Sequence, residues 1–197
     1  MVITIDGPAG AGKSTVARAV AARLGLRYLD TGAMYRALTL VALERELSLD
    51  DAGGLAALAP LAADRSDDPG LRTPEVDAAV STVAAHPIVR TAMRQAQRAF
   101  LADDHAVAEG RDIGAVVWPA AGLKIWLDAD PAVRARRRVV ERADGQAAAA
   151  LHVRDRSDAE QTQSAPDAIR IDTGPLGIDE VVERIVALAA ERGAPRP

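Results

Sequence analysis

Glycines, a lysine and two hydroxyl side chains lie close together near the start of the sequence. The run Gly7-Pro8-Ala9-Gly10-Ala11-Gly12-Lys13-Ser14-Thr15 has the spacing G-x-x-x-x-G-K-[ST]. Glycines let the backbone curl until several N–H groups point at phosphate oxygens. Lys13 can reach the β- and γ-phosphates of a nucleotide, and the Ser14 hydroxyl can complete a Mg²⁺ shell. These residue types predict a loop that binds a nucleoside triphosphate.

Such a loop works only between a strand and a helix that hold it in place. Val2-Ile3-Thr4-Ile5 is a short, largely β-branched run that is typical of a buried parallel strand. The residues from Val16 to Leu24 have apolar side chains at helical spacing, and Gly25 follows as a C-cap. This context favours a phosphate-binding loop over a glycine-rich turn without a ligand.

Composition bounds what the rest of the chain can do. The chain has 197 residues, 49% of them hydrophobic and 26% charged, which suits one domain with its own core. Cysteine is absent, so disulfides, zinc–thiolate sites and thiol nucleophiles are excluded. No apolar run approaches the roughly 20 residues of a membrane span, and the N-terminal segment lacks the basic region of a signal peptide. The net charge of −4 gives no basic field that would attract a nucleic-acid polymer. We further expect a cytoplasmic protein with no membrane partner, and a monomer by default.

The sequence also narrows the class of nucleotide-binding protein. An Asn-Lys-x-Asp segment, with which switch GTPases read guanine, is missing, because Lys124 is the one lysine besides Lys13. An Asp-Glu pair at a strand end, typical of motor ATPases, is not visible either. A small-molecule kinase needs arginines instead, because they neutralise two phosphate groups that repel each other. Arginine makes up all the remaining basic residues here.

Several arginines stand where a phosphate site could use them. Arg36 follows a short strand and opens a helical pattern, and Arg111 precedes Asp112 after another short apolar strand. An acid and a base at the carboxyl end of a strand occupy the usual ligand-binding edge of an α/β sheet. One predicted helix carries four more arginines, namely Arg134, Arg136, Arg137 and Arg138. An exposed polar face explains any one of these four equally well.

Seven segments together resemble the bacterial cytidylate kinases, which phosphorylate CMP and dCMP with ATP. The segments are ITIDGPAGAGKST (3–15), LDTGAMYRA (29–37), RTPEVDAAVSTVAAHPIVR (72–90), RQAQRAF (94–100), AEGRDIG (108–114), KIWLDA (124–129) and a tail from 154 to 173 that ends in IDT. The resemblance implies an α/β nucleoside monophosphate kinase fold with a P-loop and a five-stranded parallel sheet flanked by helices. It further implies one domain over 1–197, with a mobile monophosphate-binding part at 31–103 and a lid at 134–160.

Apolar patterning is compatible with that α/β class. We predict strands at 2–6, 27–29, 106–108, 123–127 and 168–171. We predict helices at 13–24, 33–46, 51–63, 74–85, 87–102, 131–142 and 178–191.

The resemblance also implies residue roles. Residues 7–15 would bind ATP and Ser14 would bind Mg²⁺, while Thr31 and Arg36 would hold the acceptor nucleotide, Arg36 by its phosphate. Cytosine would be read by Ser81, Arg90 and Asp112. Lys13, Arg111, Arg137 and Arg154 would serve the phosphoryl transfer, with Arg154 reaching from the lid, and Asp158 would contact the ribose. Taken alone, Ser81 is better explained as a small filler within a helix and Arg90 as an exposed helical residue.

Three departures from the family pattern bear on specificity. Only residues 64–71 separate one predicted helix from Arg72, where many members carry a small antiparallel sheet. The lid is short and rich in alanine, and Gln161 stands where many members have arginine. Discrimination among CMP, dCMP and UMP is therefore open. The remaining alternatives are a related kinase for UMP, AMP or a non-nucleotide alcohol, and a nucleotide-binding regulatory module without activity.

Overall fold

A computed structural model describes residues 1–103, 105–142 and 162–194. The chain divides into two compact units, one formed by Met1–Leu29 with Asp104–Pro197 and the other by Asp30–Asp103. Within the described ranges, none of the helices combines the length and the apolar character that a membrane crossing requires.

The first unit is organised by a five-stranded sheet with the strand order β2-β3-β1-β4-β5. Its strands are β1 (Val2–Asp6), β2 (Arg27–Asp30), β3 (Ala106–Gly110), β4 (Leu123–Asp128) and β5 (Ile169–Asp172). β1 pairs in parallel with β3 on one side and with β4 on the other, and β4 pairs in parallel with β5. The carboxyl ends of these strands therefore meet at one edge of the sheet.

The helices follow the strands in the order that an α/β fold requires. They are α1 (Lys13–Leu24), α2 (Thr31–Glu44), α3 (Ala52–Ala57), α4 (Ala59–Asp64), α5 (Pro74–Ala85), α6 (Pro87–Leu101), α7 (Pro131–Arg142) and α8 (Ile178–Glu191). A short 3₁₀ helix covers Pro69–Arg72, and a π-helical turn covers Ile113–Val117.

One apolar core holds the first unit together. Ile3 and Ile5 of β1 are fully buried, and they share a cluster with Val20 of α1 and Ile185 of α8. All five residues of β1 are buried, which is why this strand carries an almost continuous apolar run rather than an alternating one. The sheet edge that carries the glycine-rich loop is thus set on a rigid base.

The second unit is a cluster of helices with a core of its own. Met34 and Leu38 of α2, Val83 of α5 and Met93 of α6 are all completely buried. Between α4 and α5 lies only the short connection with its 3₁₀ helix. In the described part of Asp30–Asp103, no strand follows the end of β2 at Asp30. This connection stands where the sequence resemblance would otherwise imply a small antiparallel sheet.

Arg65 closes the short connection through two carboxylates. Its Nη2 atom donates to Glu44 at 2.9 Å and to Asp68 at 2.5 Å. Asp68 also accepts the backbone N–H of Gly70 at 2.8 Å, at the start of the 3₁₀ helix. The pKa of Asp68 is held below its usual range, mainly by the hydrogen bond from Arg65 and to a lesser degree by that from the Gly70 N–H.

The expected fold class is confirmed: the sheet has five strands and is flanked by helices. α1, α5, α7 and α8 have the predicted bounds, and the strands begin and end within two residues of the predicted positions. The single helix predicted over 51–63 is wrong, because the chain forms α3 and α4 there instead. Pro60 explains the break, since it lacks an N–H and fits only the first turn of a new helix.

Candidate active site

The loop between β1 and α1 has a backbone shape that only glycine allows at several positions. Gly7 has φ 151°, and a Cβ atom there would lie 2.1 Å from the carbonyl oxygen of Leu127. Gly10 has φ 78°, and its Cβ would lie 2.9 Å from the carbonyl oxygen of Arg134. Gly12 precedes α1 in the left-handed conformation. The loop therefore winds tightly against neighbouring backbone and ends at a helix N-terminus, which is an anion-binding arrangement.

The loop is fixed from behind by two side chains of the first unit. Arg134, only 8% exposed, donates from Nη1 to the carbonyl oxygen of Ala9 at 2.9 Å. Thr173, which is also buried, brings its hydroxyl within 3.2 Å of the Ala11 carbonyl oxygen. Both contacts occupy carbonyl groups. The loop is thereby held in one shape, and neither contact uses a loop N–H group.

Lys13 and Ser14 begin α1 and carry the reactive groups of the loop. Nζ of Lys13 donates to the carbonyl oxygen of Pro8 at 2.8 Å, so the ammonium group folds back over the loop. The Ser14 hydroxyl donates to Oε1 of Glu109 at 2.5 Å, and the Tyr28 hydroxyl lies 3.4 Å from the same oxygen. Glu109 is 4% exposed at the end of β3. A hydroxyl and a carboxylate are hard oxygen ligands of the kind that Mg²⁺ binds, so this pair fits the cation.

Asp6, at the carboxyl end of β1, supports the segment that follows β3. Its two carboxylate oxygens accept the backbone N–H groups of Ile113 and Gly114, each at 2.8 Å. Burial raises the pKa of Asp6 to about 6, although these two N–H groups lower it, while the charge of Asp112 raises it and that of Lys13 lowers it. The carboxylate fixes the π-helical turn directly after Arg111 and Asp112.

Arg111 and Asp112 therefore follow β3 at the edge where the loop lies. Both side chains are half-buried. The backbone carbonyl of Arg111 accepts the N–H of Gln163 at 3.0 Å, and that of Asp112 accepts the N–H of Val116 at 2.8 Å. The two residues were predicted as a pair because they are adjacent in the sequence. They lie beside the phosphate-binding loop because Asp6, directly before the loop, accepts the N–H groups of Ile113 and Gly114, directly after the pair.

Arg137, a member of the predicted arginine group on α7, contacts the residue that follows β5. Nη1 donates to the Thr173 hydroxyl at 2.8 Å, and Nη2 donates to the Thr173 carbonyl oxygen at 2.6 Å. Arg136 is exposed, whereas Arg134 is buried behind the loop. Arg134 and Arg137 of α7 therefore make different structural contacts. The interpretation of these arginines as an exposed polar face does not hold for either of them.

The remaining expected ligands of the acceptor nucleotide belong to the second unit. Asp30 caps α2 by accepting the N–H of Ala33 at 2.8 Å, and Thr31 is buried at the start of that helix. Arg36, one turn later, donates from Nη1 to the carbonyl oxygen of Leu71 at 3.2 Å and to Oδ1 of Asp77.

Two further expected ligands lie on the next two helices of this unit. Ser81 is exposed on α5, and Arg90 is half-buried in the first turn of α6. Arg154 and Asp158, as well as Gln161, lie outside the described residues.

Glu109, Asp77 and Thr173 take part in these contacts and are missing from the sequence-based set of site residues. Glu109 had a signal, because an acid at the end of an apolar strand lies beside the loop whenever that strand neighbours β1. Thr173 stands directly after β5, at the same edge of the sheet. Asp77 had no such signal, since an acid in the first turn of a helix is explained by the helix dipole alone.

Comparison of the whole chain with known proteins shows to which family it is similar. Residues 3–191 match the family model described as Cytidylate kinase. The cytidylate kinase of Deinococcus radiodurans is 46% identical over 207 residues, which cover 94% of this chain and 98% of that protein. A bifunctional pantoate ligase/cytidylate kinase of a Synechococcus strain is 47% identical over 216 residues, which cover 95% of this chain and 40% of that relative.

A solved gluconokinase structure from Sinorhizobium meliloti shares the fold alone. Its TM-score is 0.54 at 17% identity, over 96% of this chain and 91% of that one. The family model spans nearly the whole chain, and the Deinococcus relative is matched almost from end to end. The chain therefore belongs to the cytidylate kinase family.

Proposed function

We propose that this chain transfers the γ-phosphoryl group of ATP to CMP and dCMP, giving ADP with CDP or dCDP. The observation that carries the proposal is the glycine-rich loop with Lys13 and Ser14, in a chain whose residues 3–191 match the cytidylate kinase family. The named relatives with cytidylate kinase activity support the choice of acceptor. The partners are small molecules, and we propose a cytoplasmic monomer.

On the donor side, residues 7–15 bind the phosphates of ATP. The ammonium group of Lys13, held by the Pro8 carbonyl in this structure, moves to the β- and γ-phosphates. Ser14 and Glu109 hold Mg²⁺, whose charge offsets that of the phosphates when it is bound. Arg134 and Thr173 keep the loop in the shape that orients its N–H groups.

On the acceptor side, Arg36 binds the phosphate of CMP and Thr31 helps to hold the nucleotide. Ser81, Arg90 and Asp112 read the cytosine. A site built from hydrogen-bonding groups rejects the wrong base strongly, because its own polar groups would be left unpaired. Asp158 binds the ribose; like Arg154, it lies outside the described residues.

The transfer itself needs positioning and charge stabilisation rather than a general base. The attacking oxygen belongs to the phosphate of CMP, which is already an anion. Lys13, Arg111, Arg137 and Arg154 stabilise the charge on the transferred group, and the in-line geometry comes from holding both nucleotides. We propose that residues 31–103 are a mobile part whose closure helps to exclude water, which would otherwise accept the phosphoryl group. Most of the lid expected at 134–160 lies outside the described residues.

A kinase with a broader acceptor range is the second candidate. The observation that favours it is the short connection between α4 and α5, closed by Arg65 where many family members carry a small sheet. A smaller acceptor-binding part gives the base fewer neighbours. UMP or AMP would then compete with CMP.

An acceptor panel tests both candidates. ADP release is followed with ATP and Mg²⁺ in the presence of CMP, dCMP, UMP, AMP, GMP, dTMP or no acceptor. The proposal expects CMP and dCMP to dominate by a wide margin, with little ADP release when no acceptor is present. UMP turnover equal to that of CMP would favour the broader kinase. ATP binding without transfer to any acceptor would indicate a regulatory module and overturn the proposal.

A further inference from the structure

The guanidinium group of Arg36 is anchored by one of its two edges. Nη1 donates to the carbonyl oxygen of Leu71 at 3.2 Å and also to Oδ1 of Asp77. The two side chains of this ion pair are 17% and 24% exposed, so water screens the pair only in part. Leu71 itself is buried in the 3₁₀ helix, which makes its carbonyl a fixed point.

These two hydrogen bonds fix the orientation of the Arg36 guanidinium group. Within the part of the chain that the structure describes, the hydrogen bonds of Arg36 come from Nη1 alone. The Nε and Nη2 atoms form the other edge, and this edge matches two oxygens of a phosphate. An arginine that is already oriented loses less conformational entropy when it binds.

We propose that Asp77 is a positioning residue, which holds Arg36 so that its Nε–Nη2 edge faces the phosphate of the acceptor nucleotide. This inference rests on the proposed function, in which Arg36 binds that phosphate. Asp77 itself touches Nη1 and not the phosphate, so its effect passes through the arginine.

The helix that carries Asp77 also carries an expected base-reading residue. Asp77 and Ser81 are four residues apart on α5, so they share one face about 5–6 Å apart. Thr73 caps this helix through a hydrogen bond with the N–H of Val76, and Val76 and Val83 are completely buried. One rigid helix therefore sets both the phosphate end, through Asp77, and the base end, through Ser81, of the acceptor site.

A carboxylate beside an arginine can also compete with a phosphate for it. Competition requires the carboxylate to occupy the edge that the phosphate needs. Asp77 instead accepts from Nη1, as the Leu71 carbonyl does. A bidentate contact of a phosphate with Nε and Nη2 does not use Nη1. Orientation is therefore the effect that this geometry supports.

The experiment compares a nucleotide with its nucleoside. Affinities for CMP and for cytidine are measured by calorimetry in the wild type, Asp77→Ala and Asp77→Asn, together with KM for CMP, KM for ATP and kcat. We expect Asp77→Ala to weaken CMP binding by about tenfold, while cytidine binding and KM for ATP change less than about twofold. Asp77→Asn keeps an oxygen acceptor and is expected to recover part of the loss.

Glu75→Ala is the matched control. It removes the same charge from the same first turn of α5, where Glu75 is exposed, so it reproduces any loss of helix-end stabilisation. It is expected to leave both affinities unchanged.

The outcomes separate this inference from the function it rests on. Equal losses for CMP and cytidine in the Asp77 variants would assign Asp77 a structural role and overturn the inference. CMP binding that is unchanged or tighter would overturn it as well, and Asp77→Asn decides the matter should Asp77→Ala not fold. Failure of the proposed function is seen in the wild type alone, as the absence of turnover with CMP, and the nucleotide-to-nucleoside ratio is then measured with the acceptor that the panel selects.

Discussion

The hydroxyl of Ser14 donates a 2.5 Å hydrogen bond to the carboxylate of Glu109, although 95 residues separate them in the chain. The contact exists because β3 lies directly beside β1, so the end of β3 meets the first turn of α1. It gives the phosphate-binding loop an acidic neighbour that is absent from the sequence-based set of site residues. A buried carboxylate and a hydroxyl at this distance provide two oxygen ligands for one cation.

We expect Glu109→Gln to raise the Mg²⁺ concentration needed for half-maximal rate by about tenfold or more. The amide matches the carboxylate in size and can still accept the Ser14 hydrogen bond, so the fold is preserved. Rates are measured over a Mg²⁺ titration at saturating nucleotide concentrations. Glu183→Gln, at an exposed position of α8 paired with Arg23 in the last turn of α1, is the control. An unchanged Mg²⁺ dependence would show that Glu109 has no part in holding the cation.

Lys13→Ala is expected to lower the rate of ADP formation by at least about 10²-fold, because the variant loses a charge that acts on the transferred phosphate. The Lys13 side chain is half-buried and donates to a loop carbonyl, so the thermal midpoint of unfolding should change little. Arg23→Ala removes a charge from the exposed end of the same helix and should keep its activity. A Lys13→Ala protein with a nearly normal rate would contradict the donor-site assignment.

Asp6 makes the stability of the fold dependent on pH in a definite direction. Its pKa is raised from 3.8 to about 6, chiefly by burial, so its charged form is disfavoured in the folded protein. Its contribution to stability is fully present below pH 3.8 and is lost as the pH rises through about 6. The shift in the pKa of Asp6 corresponds to a change of at most about 3 kcal/mol in the free energy of unfolding.

The test compares the wild type with Asp6→Asn by urea unfolding between pH 4.5 and 8, a range chosen to span about two units around the raised pKa. Other carboxylates titrate equally in both proteins, so their contributions cancel in the difference. The wild type should lose stability relative to the variant as the pH rises towards 7. A difference that is constant across the range would contradict the raised pKa.

Thr173→Val is expected to lower the free energy of unfolding by about 1–3 kcal/mol, because the valine leaves buried partners of the hydroxyl without a hydrogen bond. These partners are Nη1 of Arg137 and the carbonyl group of Ala11, whereas the Asp128 carbonyl keeps the backbone N–H of residue 173. KM for ATP should rise as the loop loses one of its supports. Chemical unfolding and steady-state kinetics together measure both effects.

A comparison with Arg137→Ala separates support of the loop from action on phosphate. If Arg137 stabilises the transferred group, Arg137→Ala lowers kcat well beyond what Thr173→Val does. Equal effects, with no further loss in the double variant, would assign Arg137 to the support of Thr173 alone.

Local sequence determined the elements and the donor loop of this protein. Buried strands and amphipathic helices have characteristic spacings of apolar residues in the sequence. For this reason β1, α1 and α8 could be predicted with correct bounds. The glycine spacing before Lys13 predicted the loop, because the backbone curl depends on residues that are neighbours in the chain. Local patterning failed where a proline restarts a helix at Pro60 and where the turn at Ile113–Val117 is held by a distant residue.

Tertiary structure decided which side chains meet. Glu109 reaches Ser14 because β3 neighbours β1, and Asp6 reaches the N–H groups of Ile113 and Gly114 from more than one hundred positions away. Asp77 meets Arg36 because α5 packs beside α2 within the second unit. Contacts of this kind depend on strand order and helix packing, which arise from the burial of the whole core and leave no spacing in the sequence.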